Sequence, residues 1–212
     1  MTATPWELTR ESFLSEDEVA RLLAHLRQVE QESSDRSAAA TDRVIIETLL
    51  FSGVRNTEFC RLLIADTCIA TGRPEFQVSE RPGEVRTVHL PRSLCELLES
   101  YVREFHPQRL PAGVRPDDIE QPLILNERGK PYERTALYRR VVRILSAAGL
   151  AERASVQLLR HTYGYLAYKR TGGNLLFVQQ QLGHAHPMVT AIYAQFVPFN
   201  QPDLANAVAE RP

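Results

Sequence analysis

The stretch "EFQVSERPGEVRTVHLP", Glu75 to Pro91, differs from the rest of this 212-residue chain because it is rich in residues that favour β-strands. Two short runs of this kind flank the turn signal "RPG" at positions 81–83, and the arrangement predicts a β-hairpin. The segments on both sides of it have helical periodicity. The sequence therefore predicts a mainly α domain with one small antiparallel sheet, an α+β fold.

Helical signals precede and follow this hairpin. The string "SEDE" at 15–18 has the form of a capping box, and apolar residues then follow at helical spacing. A second helix is predicted from about Asp35 to Phe51. After the hairpin, apolar residues over 94–105 and 137–145 predict two more helices, separated by a proline-rich loop over 106–122.

The last quarter of the chain is divided by glycines into short helices. The first begins after Ser155 and ends before the pair Gly172–Gly173. The second is predicted between the N-cap Asn174 and Gly183, and the third begins near Pro187. A final short helix is predicted between Pro202 and Glu210.

Composition narrows the class of protein. With 43% hydrophobic and 24% charged residues the chain is expected to fold as one domain. No apolar run approaches the roughly 20 residues of a membrane span, and the N-terminus has no secretory pattern, so a cytoplasmic protein is expected. Cys60, Cys68 and Cys95 lie in apolar surroundings without metal-ligand spacing, which predicts reduced core cysteines and no metal site.

The charge pattern leaves room for a nucleic-acid ligand. A net charge of −1 excludes a uniformly basic protein but not a local basic cleft. Lys130 and Lys169 are the only lysines among the 25 basic residues. The positive charge is therefore almost entirely guanidinium, which binds phosphate through two hydrogen bonds and does not readily release a proton.

Three strings contain the candidate functional residues. "FSGVRNTEF" places Arg55 at a helix start, "QLLRHTYG" places Arg160 and His161 inside a helix, and "LGHAHPMVTAIY" places Tyr193 nine residues after His184. Each residue also has an ordinary structural interpretation. The arginine can pair with a nearby glutamate, the histidine can satisfy a helix end, and the tyrosine can be a core aromatic.

Taken together, the order and spacing of these strings resemble the catalytic domain of the tyrosine recombinases, the phage integrase family. That family has an arginine in "TGLR-x-x-E-L", a hairpin lysine, the motif "H-x-L-R-H-T", the motif "LGH", and a tyrosine nine residues later. The resemblance extends roughly over residues 14–197. It implies a catalytic domain with these bounds, an N-terminal extension over 1–13 and a C-terminal tail or helix over 198–212.

The resemblance implies a cofactor-free reaction on DNA. Tyr193 would attack a phosphodiester, form a 3′-phosphotyrosyl link and release a 5′-hydroxyl. Arg55 and Arg160 would stabilise negative charge on the phosphate, since both are permanently cationic and bidentate. His184 would donate a hydrogen bond to the same phosphate, whereas His161 would be a packing or buttressing residue.

Two positions depart from the family pattern. The first histidine of "H-x-L-R" is replaced by Gln157, and the hairpin lysine, which protonates the leaving oxygen in the family, is replaced by Arg81. Neither replacement is a proton-transfer group at neutral pH. Arg81, Arg86 and Gln157 are expected to contact DNA phosphates, and His89 is the alternative acid within the hairpin.

The departures leave two functions open. One is an active site-specific recombinase or integrase, and the other is a catalytically impaired DNA-binding or regulatory relative. A helical protein without a DNA role would leave the joint spacing of the motifs unexplained. The arginines of "RRVVR" at 139–143 are expected to line the DNA groove together with those of the hairpin.

The resemblance also implies partners. Double-stranded DNA is the expected ligand, and a homotetramer on DNA is the expected assembly, linked through the C-terminal helix; a partner recombinase and association with the nucleoid are further expectations. Only about a dozen residues precede the matching region. The expectation is a minimal recombinase, a partner-dependent one or a degenerate relative.

Overall fold

The computed structural model describes residues 8–81 and 83–198, apart from the side chains of Glu80 and Arg81. Helices dominate this part of the chain, joined by short 3₁₀ turns. The helices are α1 (Glu16–Glu32), α2 (Arg36–Ser52), α3 (Asn56–Phe59), α4 (Cys68–Thr71), α5 (Arg92–Glu104), α6 (Arg134–Ala147), α7 (Val156–Arg170), α8 (Leu175–Leu182) and α9 (Pro187–Ala191).

The predicted hairpin is confirmed. Strands β1 (Glu75–Arg81) and β2 (Glu84–His89) pair antiparallel and form the one sheet of the described residues. Phe76 lies opposite Val88 across the ladder, and both side chains are fully buried. One face of the hairpin is therefore fixed to the core, and the mainly α fold with a small antiparallel sheet is confirmed.

The first two helices begin and end where the sequence indicates. The Ser15 hydroxyl accepts the Glu18 amide while the Glu18 carboxylate accepts the Ser15 amide, which completes the predicted capping box. Helix α2 is capped by Asp35 and stops at Gly53, whose φ of 64° lies in the left-handed region that favours glycine. Helix α2 is largely buried and contacts α1, α5, α6 and α7, so it forms the centre of the core.

The C-terminal helices add a second, smaller core. Helix α7 begins after Ser155, as predicted, and ends just before Gly172 and Gly173, which both have positive φ. Tyr163, Val178, Leu182 and Tyr193 form a buried cluster between α7, α8 and the end of α9. The last turns of the described chain are therefore held against α7.

The two ends of the described chain meet each other. Phe13 is fully buried and stacks on Tyr165 at a ring-centroid distance of 4.4 Å, with Phe196 at 4.9 Å. The described part of the predicted N-terminal extension thus packs on the domain. The predicted helix over 202–210 lies outside the described residues.

The expectations about membrane spans and cysteines can be compared with the described residues. Within this part of the chain, no helix combines the length and the apolar character that crossing a membrane would need. The three cysteines are free thiols, with Cys68 and Cys95 buried and Cys60 half-buried. Burial raises the pKa of the Cys60 thiol to about 11, which makes it a poor nucleophile.

Candidate active site

Arg55 lies at the junction between α2 and α3, where it is the N-cap residue of α3. Its amide donates to Glu58 Oε2 at 2.6 Å, and its Nη1 donates to Glu58 Oε1 at 2.6 Å. Its Nη2 reaches across to the carbonyl of Gly183 at 2.6 Å. The guanidinium is thus fixed between a helix start and the loop after α8, while 40% of the side chain remains exposed.

Arg160 comes to the same place from α7. Its Nη2 donates to the Leu182 carbonyl at 2.6 Å, and its Nη1 donates to the carbonyl of Gly53. The Leu182 and Gly183 carbonyls are neighbours at the C-terminal end of α8, where the partial charge of a helix is negative. One helix end therefore holds both predicted phosphate-binding arginines side by side. Burial, and then Arg55, lower the pKa of Arg160 to about 10, so it stays cationic at neutral pH.

Glu58 balances part of this positive charge. It is 6% exposed and accepts two hydrogen bonds from Arg86, at 2.8 and 3.0 Å, besides those from Arg55. Burial raises the pKa of Glu58, but the bonds from Arg86 and from the Arg55 amide outweigh burial and hold the pKa at about 2. Arg86 was predicted to contact DNA phosphates. In the structure it fastens the hairpin to α3, because the buried carboxylate binds both of its terminal nitrogens.

His184 comes directly after Leu182 and Gly183, the two residues whose carbonyls bind the arginines. Its Nδ1 lies 2.9 Å from the Thr190 hydroxyl. When that hydroxyl donates to Nδ1, the neutral ring presents Nε2–H as a donor. Burial, followed by Arg160 and Arg55, lowers the pKa of His184 to about 4. The ring is therefore a neutral hydrogen-bond donor at physiological pH.

Two cavities open at the arginine pair. The larger, about 1090 Å³, is lined by Arg55, His89 and His184 together with α8 and the hairpin. The smaller, about 510 Å³, is lined by Arg55, Arg160, Gln157 and the first turns of α6. Arg55 therefore lines both cavities, whereas Arg160 lines the smaller one.

Tyr193 lies outside both cavity linings. The side chain is 1% exposed, its ring packs on Gly164 of α7, and its hydroxyl is 3.1 Å from His161 Nδ1. Burial raises the pKa of Tyr193 to about 12, against an opposing effect of Arg160. The tyrosine of the sequence motif is thus a core residue in this structure.

Gln157 takes a different partner from the one predicted. Its Nε2 lies 3.0 Å from His161 Nε2, and the side chain is at the surface of the smaller cavity. Burial, followed by Arg160, lowers the pKa of His161 to about 4. Gln157, His161 and Tyr193 therefore form one hydrogen-bonded series. The i,i+4 spacing of Gln157 and His161 on a helix indicates that they are neighbours, but not that they are bonded.

The other residues predicted to act on DNA lie in different surroundings. The side chain of Arg81 lies outside the described residues, and exposed His89 lines the larger cavity. Arg140, predicted to line the DNA groove, is buried and donates to Asp42 at 2.5 Å and to Glu127. That prediction is wrong, because an acidic residue of α2 draws the guanidinium inward. In the described residues no group of three or more His, Cys, Asp or Glu side chains could hold a metal ion.

Comparison with known proteins identifies the family of this chain. The family model described as "Phage integrase family" matches residues 12–197. The chain belongs to the phage integrase family. Tyrosine recombinase XerH of Helicobacter pylori is 28% identical over 187 residues, which are 86% of this chain and 48% of that protein. The chain spans about half the length of the curated relatives it matches.

Solved structures of family members have the same fold. XerH site-specific recombinase bound to difH substrate, in a pre-cleavage complex, superposes with a TM-score of 0.73 at 26% identity, covering 98% of this chain and 56% of that one. The catalytic domain of bacteriophage HP1 integrase gives 0.57 at 22% identity, covering 94% and 95%. The second likeness concerns the fold alone.

Proposed function

We propose that this chain contains the strand-cleaving domain of a site-specific DNA recombinase or integrase that forms a 3′-phosphotyrosyl intermediate. The observation that supports this most is the placement of Arg55 and Arg160 on adjacent carbonyls of α8. The two residues are separated by more than a hundred positions in the chain, and each donates to a backbone carbonyl at the same helix end. A planar, permanently charged pair of this kind suits a phosphodiester.

The chemistry would follow from the residues around the pair. The scissile phosphate would lie on Arg55 and Arg160, with His184 Nε2–H donating to a non-bridging oxygen. The Tyr193 hydroxyl would lose its proton to solvent, favoured by the positive charge of the arginine pair. Its oxygen would attack phosphorus as the bond to the 5′-oxygen breaks and that oxygen takes up a proton to become a hydroxyl. Charge developing on the phosphate would be stabilised by donors that are already in position. Because the phosphotyrosyl bond conserves the energy of the phosphodiester, rejoining needs no nucleotide cofactor.

Proton donation to the leaving 5′-oxygen is the step at which this chain departs from the family pattern. Arg81 occupies the position of the family lysine, and an arginine rarely releases a proton. His89 is the histidine of the hairpin, and it lines the larger cavity. We therefore expect slow cleavage in which either Arg81 stabilises the leaving oxygen by charge alone or His89 donates the proton.

A covalent-complex assay tests this function. The protein is incubated with nicked suicide duplexes made from the DNA that flanks its gene, and the products are separated on a denaturing gel. We expect a covalent protein–DNA band that Tyr193→Phe abolishes while DNA binding persists. Tyr138 is the matched control, because it is 45% exposed and lines the smaller cavity with both arginines. Loss of the band in Tyr138→Phe, but not in Tyr193→Phe, would overturn the assignment.

A second candidate is a catalytically impaired DNA-binding or regulatory relative. The observation in its favour is that Gln157, which replaces the first histidine of the family motif, bonds to His161 in the structure. Such a protein would bind duplex DNA in a salt-dependent manner and give no covalent band on any suicide duplex.

The proposal extends to partners. Relatives in solved complexes are recombinases bound to DNA substrates, and double-stranded DNA is the ligand proposed for this chain. Assembly as a homotetramer on DNA, with or without a partner recombinase, through the segment after Pro202 is part of the same proposal. Deletion of residues 202–212 is expected to reduce DNA-dependent oligomers and to leave the monomer's unfolding transition unchanged; unchanged assembly would remove that part.

A further inference from the structure

Two residues of α7 hold the Tyr193 side chain from different directions. His161 Nδ1 meets the hydroxyl at 3.1 Å, and Gly164 lies under the ring. Positions 161 and 164 are one turn apart and so lie on the same face of the helix. A Cβ at position 164 would overlap the Tyr193 ring and hydroxyl. The glycine therefore makes space for the tyrosine, and the histidine binds its polar end.

This position is suited to keeping the tyrosine unreactive. The ring is 1% exposed within an apolar cluster that includes Tyr163 and Leu182, which excludes water and DNA from the hydroxyl. Neither cavity at the arginine pair is lined by Tyr193. Attack on a phosphate held by Arg55 and Arg160 therefore requires the hydroxyl to leave His161.

Gln157 fixes the ring that binds the tyrosine. When its amide N–H donates to His161 Nε2, the ring proton is on Nδ1 and is donated to the Tyr193 hydroxyl. Without that contact, Nε2 would be free to take the ring proton. The orientation of the bond to Tyr193 would then no longer be determined.

We propose that His161 and Gly164 form a resting site for the Tyr193 hydroxyl, and that His161, oriented by Gln157, is a positioning residue that limits how often the nucleophile is available. The inference rests on the proposed function for its consequence in cleavage. The resting site itself is a property of the free protein, so it can be tested without DNA.

The first measurement uses the free protein. Tetranitromethane nitrates accessible tyrosines, and peptide mass spectrometry resolves each site. In the wild type we expect exposed Tyr138 to react and Tyr193 to be protected. His161→Ala should raise nitration at Tyr193 by about five-fold, for loss of one neutral hydrogen bond. Gln157→Ala should raise it less, because the Tyr193 hydroxyl can still donate to Nδ1 of the other tautomer. Both variants should leave Tyr138 unchanged. Gly164→Ala should raise it further, because the added methyl group excludes the ring.

Conservative variants separate positioning from general destabilisation. The side-chain amide of asparagine is as many bonds from Cα as Nδ1 of histidine, and that of glutamine as many as Nε2. His161→Asn should therefore keep Tyr193 protected, whereas His161→Gln should resemble His161→Ala. Equal protection in the asparagine, glutamine and alanine variants would overturn the proposal. So would equal exposure in all three.

The second measurement connects the resting site to cleavage. Only the released tyrosine can attack, so the rate of covalent linkage should rise in proportion to the released fraction. His161→Ala and Gly164→Ala are expected to form the covalent band faster than the wild type, by a factor close to the gain in nitration. Slower linkage despite greater nitration would overturn the positioning role. Changed nitration with no band in any variant would keep the resting site and remove the proposed function.

Discussion

The arginine pair and the tyrosine are held by two kinds of contact, although they lie within one small region. Arg55 and Arg160 are held by backbone carbonyls at the end of α8 and by a buried carboxylate. Tyr193 is held by one hydrogen bond to a side chain and by apolar packing against a glycine. Backbone groups at a helix end therefore fix the charges, whereas one side-chain hydrogen bond and apolar packing fix the proposed nucleophile.

This difference separates two requirements of phosphoryl transfer. Stabilising charge in the transition state requires donors that are positioned before the substrate arrives, because reorganisation at that moment is costly. A nucleophile can be supplied later, provided that it reaches the phosphate in line. We infer that the phosphate-binding half of the site exists in the free protein and that the nucleophilic half is completed on DNA.

The largest effect is expected from removing one member of the pair. Arg55→Ala should lower the rate of covalent linkage by about 10²–10³-fold, the loss typical for one transition-state donor. Arg61→Ala is the matched control, since Arg61 is exposed and lines the same cavity. Single-turnover assays on a suicide duplex measure both. An equal loss in the two variants would mean that the cavity provides only general positive charge.

An effect of comparable size is expected at the leaving group. A duplex with a 5′-bridging sulfur needs no proton donor, and general acid catalysis is typically worth roughly 10²–10⁴-fold. We expect the sulfur substrate to be cleaved at least about 10²-fold faster than normal DNA, and Arg81→Lys to narrow the gap. Equal rates on the two substrates would show that proton donation does not limit this protein.

The arginine half of the site could be predicted more completely than the tyrosine half. Arg55 and Arg160 could be identified from the order and spacing of their sequence motifs. The Leu-Gly end of α8 then explains their placement, because its two carbonyls accept hydrogen bonds from the two guanidinium groups. The bond between Gln157 and His161 was not predicted, because i,i+4 spacing identifies neighbours but not hydrogen bonds. The burial of Tyr193 depends on Gly164, and a glycine inside a helix pattern does not show what packs against it.

The free energy of unfolding should depend on pH through two histidines, His184 beside the arginine pair and His161 beside Tyr193. The folded pKa of His161 and of His184 is about 4, below the usual 6.5, so the unfolded chain binds more protons between these values. Stability should therefore be full above pH 6.5 and decline as the pH falls towards 4, by about 1 kcal/mol for each half-buried histidine. Buried His106, whose pKa burial also lowers, adds to the same decline.

Urea unfolding at several pH values measures this dependence. His161→Asn and His184→Asn should each flatten the decline between pH 6.5 and 4.5, and the two effects should add. Below pH 4.5 a further loss is expected as Glu58, with a folded pKa of about 2, takes up protons in the unfolded chain first. Identical profiles for the wild type and both variants would show that the rings are solvated.

The smallest effect is expected in DNA affinity. Each phosphate contact adds about 0.9 to the slope of log affinity against log salt. Arg134 is exposed on the first turn of α6 and lines the smaller cavity. Arg134→Ala should therefore reduce the slope by about 0.9, the value for one phosphate contact. Arg140→Ala should leave the slope unchanged and lower stability instead, because its guanidinium is buried on Asp42. Filter binding over a salt series distinguishes the two outcomes.

The identity of the attacking residue is open to a single direct measurement. The covalent complex formed on a suicide duplex is digested with nuclease and protease, and the peptide that retains nucleotide is sequenced by mass spectrometry. We expect the nucleotide on Tyr193, although this side chain is 1% exposed in the free protein. Nucleotide on Tyr138, which already lines a cavity with both arginines, would show that the buried tyrosine is only a core residue.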